Sequence, residues 1–227
     1  MLCPDLSFLC VTRGEKCVLD LLSKMYIDAR SIGAEFCVFA DGQEVLNNLD
    51  DWLCYDYLAV VESRGYIESV LDECLVILQE SGLGGRYIFR LDDDESLSNP
   101  LLNWLSEGKY RSHPHWKFNR AHLWQDDKTV IVNPPLYPDH QTRLSTREMS
   151  LGRTSIHCGS PFGGGELCPY PILHHKFLVK SIEERQKIVD RYESVQHGAG
   201  EAFKIFSVPE LVLQNDQFQL RSLEDVI

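Results

Sequence analysis

The chain has 227 residues, 44% hydrophobic and 25% charged, which supports a substantial core and excludes a disordered segment. Its 22 Lys and Arg against 34 Asp and Glu give a formal net charge of −12, which opposes long-range attraction to a polyanion and disfavours nucleic acid without excluding it. The longest apolar runs, such as Phe36 to Ala40, are too short to cross a bilayer, and the opening MLCPDLSFLC has no basic region before its apolar residues; a cytoplasmic protein with no signal peptide or transmembrane segment is expected.

Leu6 to Val11 (LSFLCV) reads as a buried strand. A helix of about 17 residues follows, because Val18, Leu21, Leu22, Met25, Tyr26 and Ala29 recur at the helical period, and Gly33 closes it as a left-handed cap. Glu35 to Ala40 is a second strand, ended by the Asp41-Gly42 turn signal. A short helix leads to a third strand, Tyr57 to Ser63. Ile67 to Ser81 is a helix with Val70, Leu71, Cys74, Leu75 and Leu78 on one face, stopped by Gly82. RYIFRL is the fourth strand and runs directly into Asp92, Asp93, Asp94 and Glu95.

The second half is less regular. Trp116 to Trp124 and Lys128 to Val132 read as strands, and Pro134, Pro135 and Pro138 mark an extended connection. Gly159 to Pro171 (GSPFGGGELCPYP) reads as a glycine-rich loop and YPILHHKFLV as a strand. Ser181 and Glu184 form a capping box, opening a helix that buries Ile182, Val189 and Tyr192. The alternation of strand and helix predicts an α/β fold: a mostly parallel central sheet with helices on both faces. No repeat or linker divides it, so a single domain over 1–227 is expected.

In such sheets ligands bind outside the carboxyl ends of the strands. Thr12-Arg13-Gly14, Asp41-Gly42, Ser63-Arg64-Gly65 and Asp92 to Glu95 all fall at such ends, so one crevice is expected to collect them. Neither a G-x-G-x-x-G nor a Walker A pattern is present. If the chain stays extended, Asp92 and Asp94 share one side and Asp93 the other. Two converging carboxylates make a hard-oxygen site for Mn²⁺ or Mg²⁺, whose remaining ligands are typically waters and substrate phosphates. Glu95 reads as a helix-start or supporting acid, and one imidazole of His174-His175 as a candidate to complete the site. Lys109 to His122 carries four basic residues, three histidines and no acid, and reads as a basic rim or an anion-binding patch. None of the eight cysteines forms a C-x-x-C pair, which argues against structural zinc; reduced, mostly buried thiols are expected.

With these pieces in order, the chain resembles the family-2-like glycosyltransferases of the Rossmann-like GT-A fold. FLCVTRGE is similar to their first strand and nucleotide loop. EFCVFADG is similar to the second strand and its terminal acid. VVESRGYIESVLDECLVI is similar to the segment over ribose and diphosphate, and RLDDDE to their D-x-D element. YPDHQTRL with SIH is similar to the acceptor-side half, and ILHHKFLVKSIEERQKIVDRYES to the late histidine and helix.

The resemblance implies a metal-dependent transfer of a sugar from a nucleotide-diphosphate donor, usually a UDP-sugar, to an acceptor hydroxyl. About residues 1–100 would bind the donor and about 101–227 the acceptor, most simply a saccharide. It implies that Thr12, Arg13, Asp41 and Arg64 line the nucleotide pocket, that Asp92 and Asp93 contact the nucleotide sugar, and that Gln141 and Arg143 lie near the donor sugar. It implies a metal held by Asp92, Asp94 and His175, with His174 as the alternative. Relatives carry a glutamate after the histidine of a vHE element; here Cys158 follows His157. That leaves the catalytic base between Asp139 and Glu166, and the stereochemistry open. A nucleotidyltransferase and a non-catalytic nucleotide-sugar binder are the competing expectations.

Overall fold

The computed structural model describes residues 2–49, 53–152, 156, 165–214 and 217–227. The vHE-like His157-Cys158 and residues 159–164 of the Gly159–Pro171 stretch lie outside the described residues. The first half alternates β1 (Leu6–Thr12), α1 (Leu19–Ser31), β2 (Glu35–Asp41), α2 (Gln43–Asn48), β3 (Tyr57–Val61), α3 (Leu71–Glu80) and β4 (Tyr87–Asp92). These strands pair in the order β3-β2-β1-β4, all parallel. They are apolar almost throughout because both faces of the sheet are covered. Along β1, Leu6, Phe8 and Cys10 pack with Leu22, Met25 and Ala29 of α1. The alternate Leu9 and Val11 pack with Leu71, Cys74 and Leu78 of α3.

Next come β5 (Glu95–Leu97), α4 (Asn99–Ser106), β6 (His115–His122), β7 (Thr129–Ile131), β8 (His140–Thr146), α5 (Arg147–Ser150), β9 (Glu166–Leu167), β10 (Ile172–His174), α6 (Lys176–Val179) and α7 (Ile182–Val195). Strand β8 lies antiparallel between β4 and β6, so β6 runs in the same direction as β4. Strand β10 is parallel to β6 and antiparallel to β5. The carboxyl ends of β1, β4, β6 and β10 therefore gather at one edge, with the amino end of β8 among them. Beyond α7 the chain adds α8 (Ala199–Phe203), α9 (Pro209–Val212) and β11 (Leu220–Ser222), which pairs with β7.

Two expectations change, and one strand was not read from the sequence. Strand β8 carries no apolar alternation, because its buried positions include Thr142, Arg143 and Ser145. The YPILHHKFLV segment is a strand only over Ile172–His174; the His175 N–H leaves the ladder for the Asp94 carbonyl, 2.8 Å away, and α6 begins. In α7 Ile182 is 42% exposed, while Arg185 takes the inward place, bonded to Glu210 and the Ser207 carbonyl. The capping box at Ser181 is present, with both reciprocal bonds. No helix among the described residues is long and apolar enough to cross a membrane. Cys10, Cys17, Cys37, Cys74 and Cys168 are free thiols, and burial pushes the Cys37 thiol up to about 12.

Candidate functional site

Arg90 and Asp92 are two apart on β4 and share a side. Arg90 donates to Asp92 Oδ1 at 2.8 Å and to Glu68 Oε1 at 3.2 Å. The strand ends at Asp92, Asp93 and Asp94 form a turn, and Glu95 opens β5. The extended alternation expected across the three aspartates is therefore broken, and each carboxylate meets a different partner.

Asp92 Oδ2 accepts from Arg143 of β8 at 2.6 Å, and Arg120 of β6 lies 3.9 Å away. Burial alone would raise its pKa, but the guanidiniums of Arg143, Arg90 and Arg120 outweigh it and hold the carboxyl well below the usual range. Glu95, fully buried, accepts from the Asp92 N–H and from Arg143; it is the supporting acid and caps no helix, since Ser98 caps α4. Asp93 does not turn away: its Oδ2 accepts from Thr12 at 2.8 Å and the residue lines the cleft. Burial, with the adjacent Asp94, pushes Asp93 up to about 6 against Lys180 and the Thr12 bond.

Asp94 joins a chain of buried groups that runs back through two imidazoles. Asp94 Oδ1 is 3.2 Å from His174 Nε2, His174 Nδ1 is 2.8 Å from His122 Nδ1, and His122 Nε2 is 3.1 Å from Asp139 Oδ2. Arg120 also binds Asp139 at 2.6 Å. Burial would raise Asp139, yet Arg120 and the His122 bond hold it below the carboxylate range. Burial pushes His122 down to about 4 and, against the pull of Asp94, holds His174 well below the ordinary histidine value, which favours neutral rings.

The protons can then be placed. Ionised Asp139 takes the His122 Nε2–H. Neutral His122 therefore presents Nδ1 as an acceptor, and the 2.8 Å contact requires the hydrogen to sit on His174 Nδ1. That leaves the lone pair of His174 Nε2 facing an Asp94 oxygen at 3.2 Å. Two acceptors in this position call for a positive charge between them, a proton or a cation.

These residues floor or back an open cleft of about 770 Å³ at the carboxyl edge of the parallel strands. Among the described residues, seven cationic and five acidic side chains line it, so the cleft of this acidic chain is itself rich in cations. Arg13 pairs with Asp41 at 3.1 Å, Lys180 with Glu15, and Arg90, Arg120 and Arg143 with the acids above. Lys176 and Arg191 make no ion pair among the described residues. Tyr66, Ile67, Ile188 and Tyr192 supply the apolar wall.

Of the residues expected in the site, Arg13, Asp92, Asp93, Asp94, Gln141 and Arg143 line the cleft. Thr12 lies buried behind Asp93, and Asp41 anchors Arg13 while accepting from Ser63. Arg64 is exposed, and among the described residues its backbone N–H is engaged by Ser69. His175 turns its Nε2 to Ser96 at 2.8 Å, and it is His174 that meets Asp94. Asp139 is 6% exposed and consumed by Arg120, His122 and Gln141. Glu166 is exposed on β9, level with Trp116, four residues before the Arg120 that faces the cleft. Among the described residues no three His, Cys, Asp or Glu side chains converge to hold a metal. The Lys109–His122 stretch is dispersed: Lys109 pairs with Glu107, Arg111 with Asp5, and Arg120 alone enters the cleft.

No protein-family model matches this chain, and no curated protein does. Among solved structures, S. aureus TarS 1–349 aligns at 8% identity over 93% of this chain and 73% of that one, with a TM-score of 0.43. The same fragment in complex with UDP-GlcNAc aligns at 11% identity over 93% and 77%, TM-score 0.39. The inositol-1-phosphate CTP transferase from T. maritima aligns at 9% identity over 86% and 97%, TM-score 0.43.

Glu68, Arg90, Lys176, Lys180, Arg191 and Tyr192 belong to the site or its support and were not singled out as site residues in the sequence, and Arg120 and His122 were marked only as part of the basic Lys109–His122 stretch. Arg90 carried a signal: it shares a strand side with Asp92. Arg120 and His122 likewise stand two apart at the end of β6.

Proposed function

We propose that the cleft binds a nucleotide diphosphate and that the chain is a glycosyltransferase, moving a sugar from a nucleotide-diphosphate donor, in first place a UDP-sugar, to an acceptor hydroxyl. The observation that carries this reading is the cation-rich cleft built around the RLDDDE turn at the carboxyl edge of the sheet. That chemistry suits a phosphorylated ligand with an apolar portion.

In this reading Arg90, Arg143 and Arg120 hold Asp92 ionised and fixed, where it can accept from a ligand hydroxyl without reorganising. Asp94 and His174 are the pair that would hold a divalent cation. His174 keeps its Nδ1–H on His122, which fixes the ring for metal binding. Bound there, Mn²⁺ or Mg²⁺ would supply positive charge to the departing diphosphate. Asp139 is a positioning residue here, since both its oxygens already accept from neighbours.

Thermal stabilisation by a panel of nucleotide-sugars, with and without Mn²⁺, tests the binding. A ligand at a hundred times its dissociation constant adds about 2.7 kcal/mol. Product analysis tests the chemistry. Release of UDP from a UDP-sugar supports sugar transfer, and pyrophosphate release from sugar phosphate and nucleoside triphosphate supports nucleotidyl transfer instead. No donor-dependent shift anywhere in the panel overturns the reading.

A further inference from the structure

Five of the seven cations of the cleft are neutralised in place by carboxylates. The two left over, Lys176 and Arg191, come from α6 and α7. Lys176 is only 8% exposed, and its Nζ makes a single hydrogen bond among the described residues, to the Phe206 carbonyl at 3.4 Å. The Arg191 guanidinium makes no ion pair or hydrogen bond among them. Among the described residues the Lys176 ammonium has no carboxylate within ion-pair distance and is drawn only by the more distant charges of Asp94 and Asp92, so an anion entering the cleft meets a buried cation with no direct partner.

We infer that Lys176 and Arg191 are the phosphate-binding residues of this cleft, and that a diphosphate group completes their charge balance. This rests on the nucleotide-diphosphate reading for the identity of the ligand, but the anion site can be probed separately. It divides the work of the site: Asp92 and its arginines are closed against further charge, whereas the α6–α7 side is open to it. It also predicts that some diphosphate affinity persists without a divalent cation.

Inorganic pyrophosphate is the probe, because it carries the diphosphate with no base or sugar. Calorimetric titrations in EDTA would compare the intact chain with Lys176→Met, Lys176→Arg and Arg191→Met, using pyrophosphate, UDP, CDP, GDP, ADP and uridine. The expected result is at least a tenfold loss of pyrophosphate affinity in Lys176→Met and in Arg191→Met, and near-parental affinity in Lys176→Arg. The ligand-free melting temperatures of the variants are read beside the titrations, so that a lost anion site is told apart from a disrupted fold. If Lys176→Met does not fold, Arg191→Met carries the test. Pyrophosphate binding within twofold of the parent in the methionine variants overturns the inference and leaves the nucleotide reading standing. Pyrophosphate binding with no nucleoside diphosphate binding does the reverse. If the parent binds neither, both fall.

Discussion

Arg143 donates to Asp92 Oδ2 at 2.6 Å from a side chain that is 3% exposed, and the same nitrogen reaches Glu95 at 2.8 Å. One guanidinium thus holds the half-buried Asp92 and the fully buried Glu95 apart at the turn that opens the cleft. Its removal would leave both acids facing each other without a counter-ion on that side. Arg143→Met is expected to destabilise the protein by about 3–5 kcal/mol, the range for breaking one member of a buried ionic group. Arg143→Lys should fall between, since it keeps the charge but loses the fork. Urea midpoints at constant m-value provide the measurement, and a methionine variant as stable as the parent would remove Arg143 from this role.

Asp139 was a candidate base in the sequence, and its surroundings argue for a positioning role. Its folded pKa lies below the ordinary value, so its stabilising contribution is present above the unfolded pKa of about 3.9. That contribution is lost as pH falls through the folded value. Asp139→Asn strips Arg120 and His122 of their charge partner and should lose about 3–5 kcal/mol at pH 7. The gap to the parent should narrow below pH 4. A base would behave otherwise: kcat would collapse while the melting temperature held.

The first four strands were legible because a parallel sheet covered on both faces writes continuous apolar runs into the sequence. Strand β8 was not, because the buried polar residues Thr142, Arg143 and Ser145 erase the apolar alternation. The acidic cluster was placed at the right edge, but assigning sides by twos assumed an extended chain, and Asp93-Asp94 is a turn. The inward placement of His174 had a signal in the sequence. Ile172 is a core position on β10, and the residue two along, His174, shares its side. Lys176 and Arg191 left no comparable mark, since single cations on helices usually belong to a solvated face.

Helix α7 carries Ile188, Arg191 and Tyr192 into the cleft, and its first turn is fixed by Ser181. The Ser181 hydroxyl accepts from the Glu184 N–H at 3.3 Å, and Glu184 returns a bond to the Ser181 N–H at 2.7 Å. Ser181→Ala should lower stability by about 1 kcal/mol, whereas Ser181→Asp should stay close to the parent. Thermal unfolding of the three proteins decides it. An alanine variant with an unchanged midpoint would mean that α8, packed against α7, holds the helix without the cap.

The two adjacent histidines give opposite expectations for metal dependence. His174 Nε2 faces Asp94, while His175 Nε2 faces Ser96. With UDP present, Mn²⁺ should raise the melting temperature of the parent. His174→Gln and Asp94→Asn should each abolish that increment, while His175→Gln should keep it. The ligand-free melting temperatures of the same variants separate a lost cation from a disrupted fold, because His174→Gln also breaks the contact with His122. A manganese increment that survives in His174→Gln but vanishes in His175→Gln would move the cation away from Asp94–His174. It would require the α6 start to rearrange when the ligand binds.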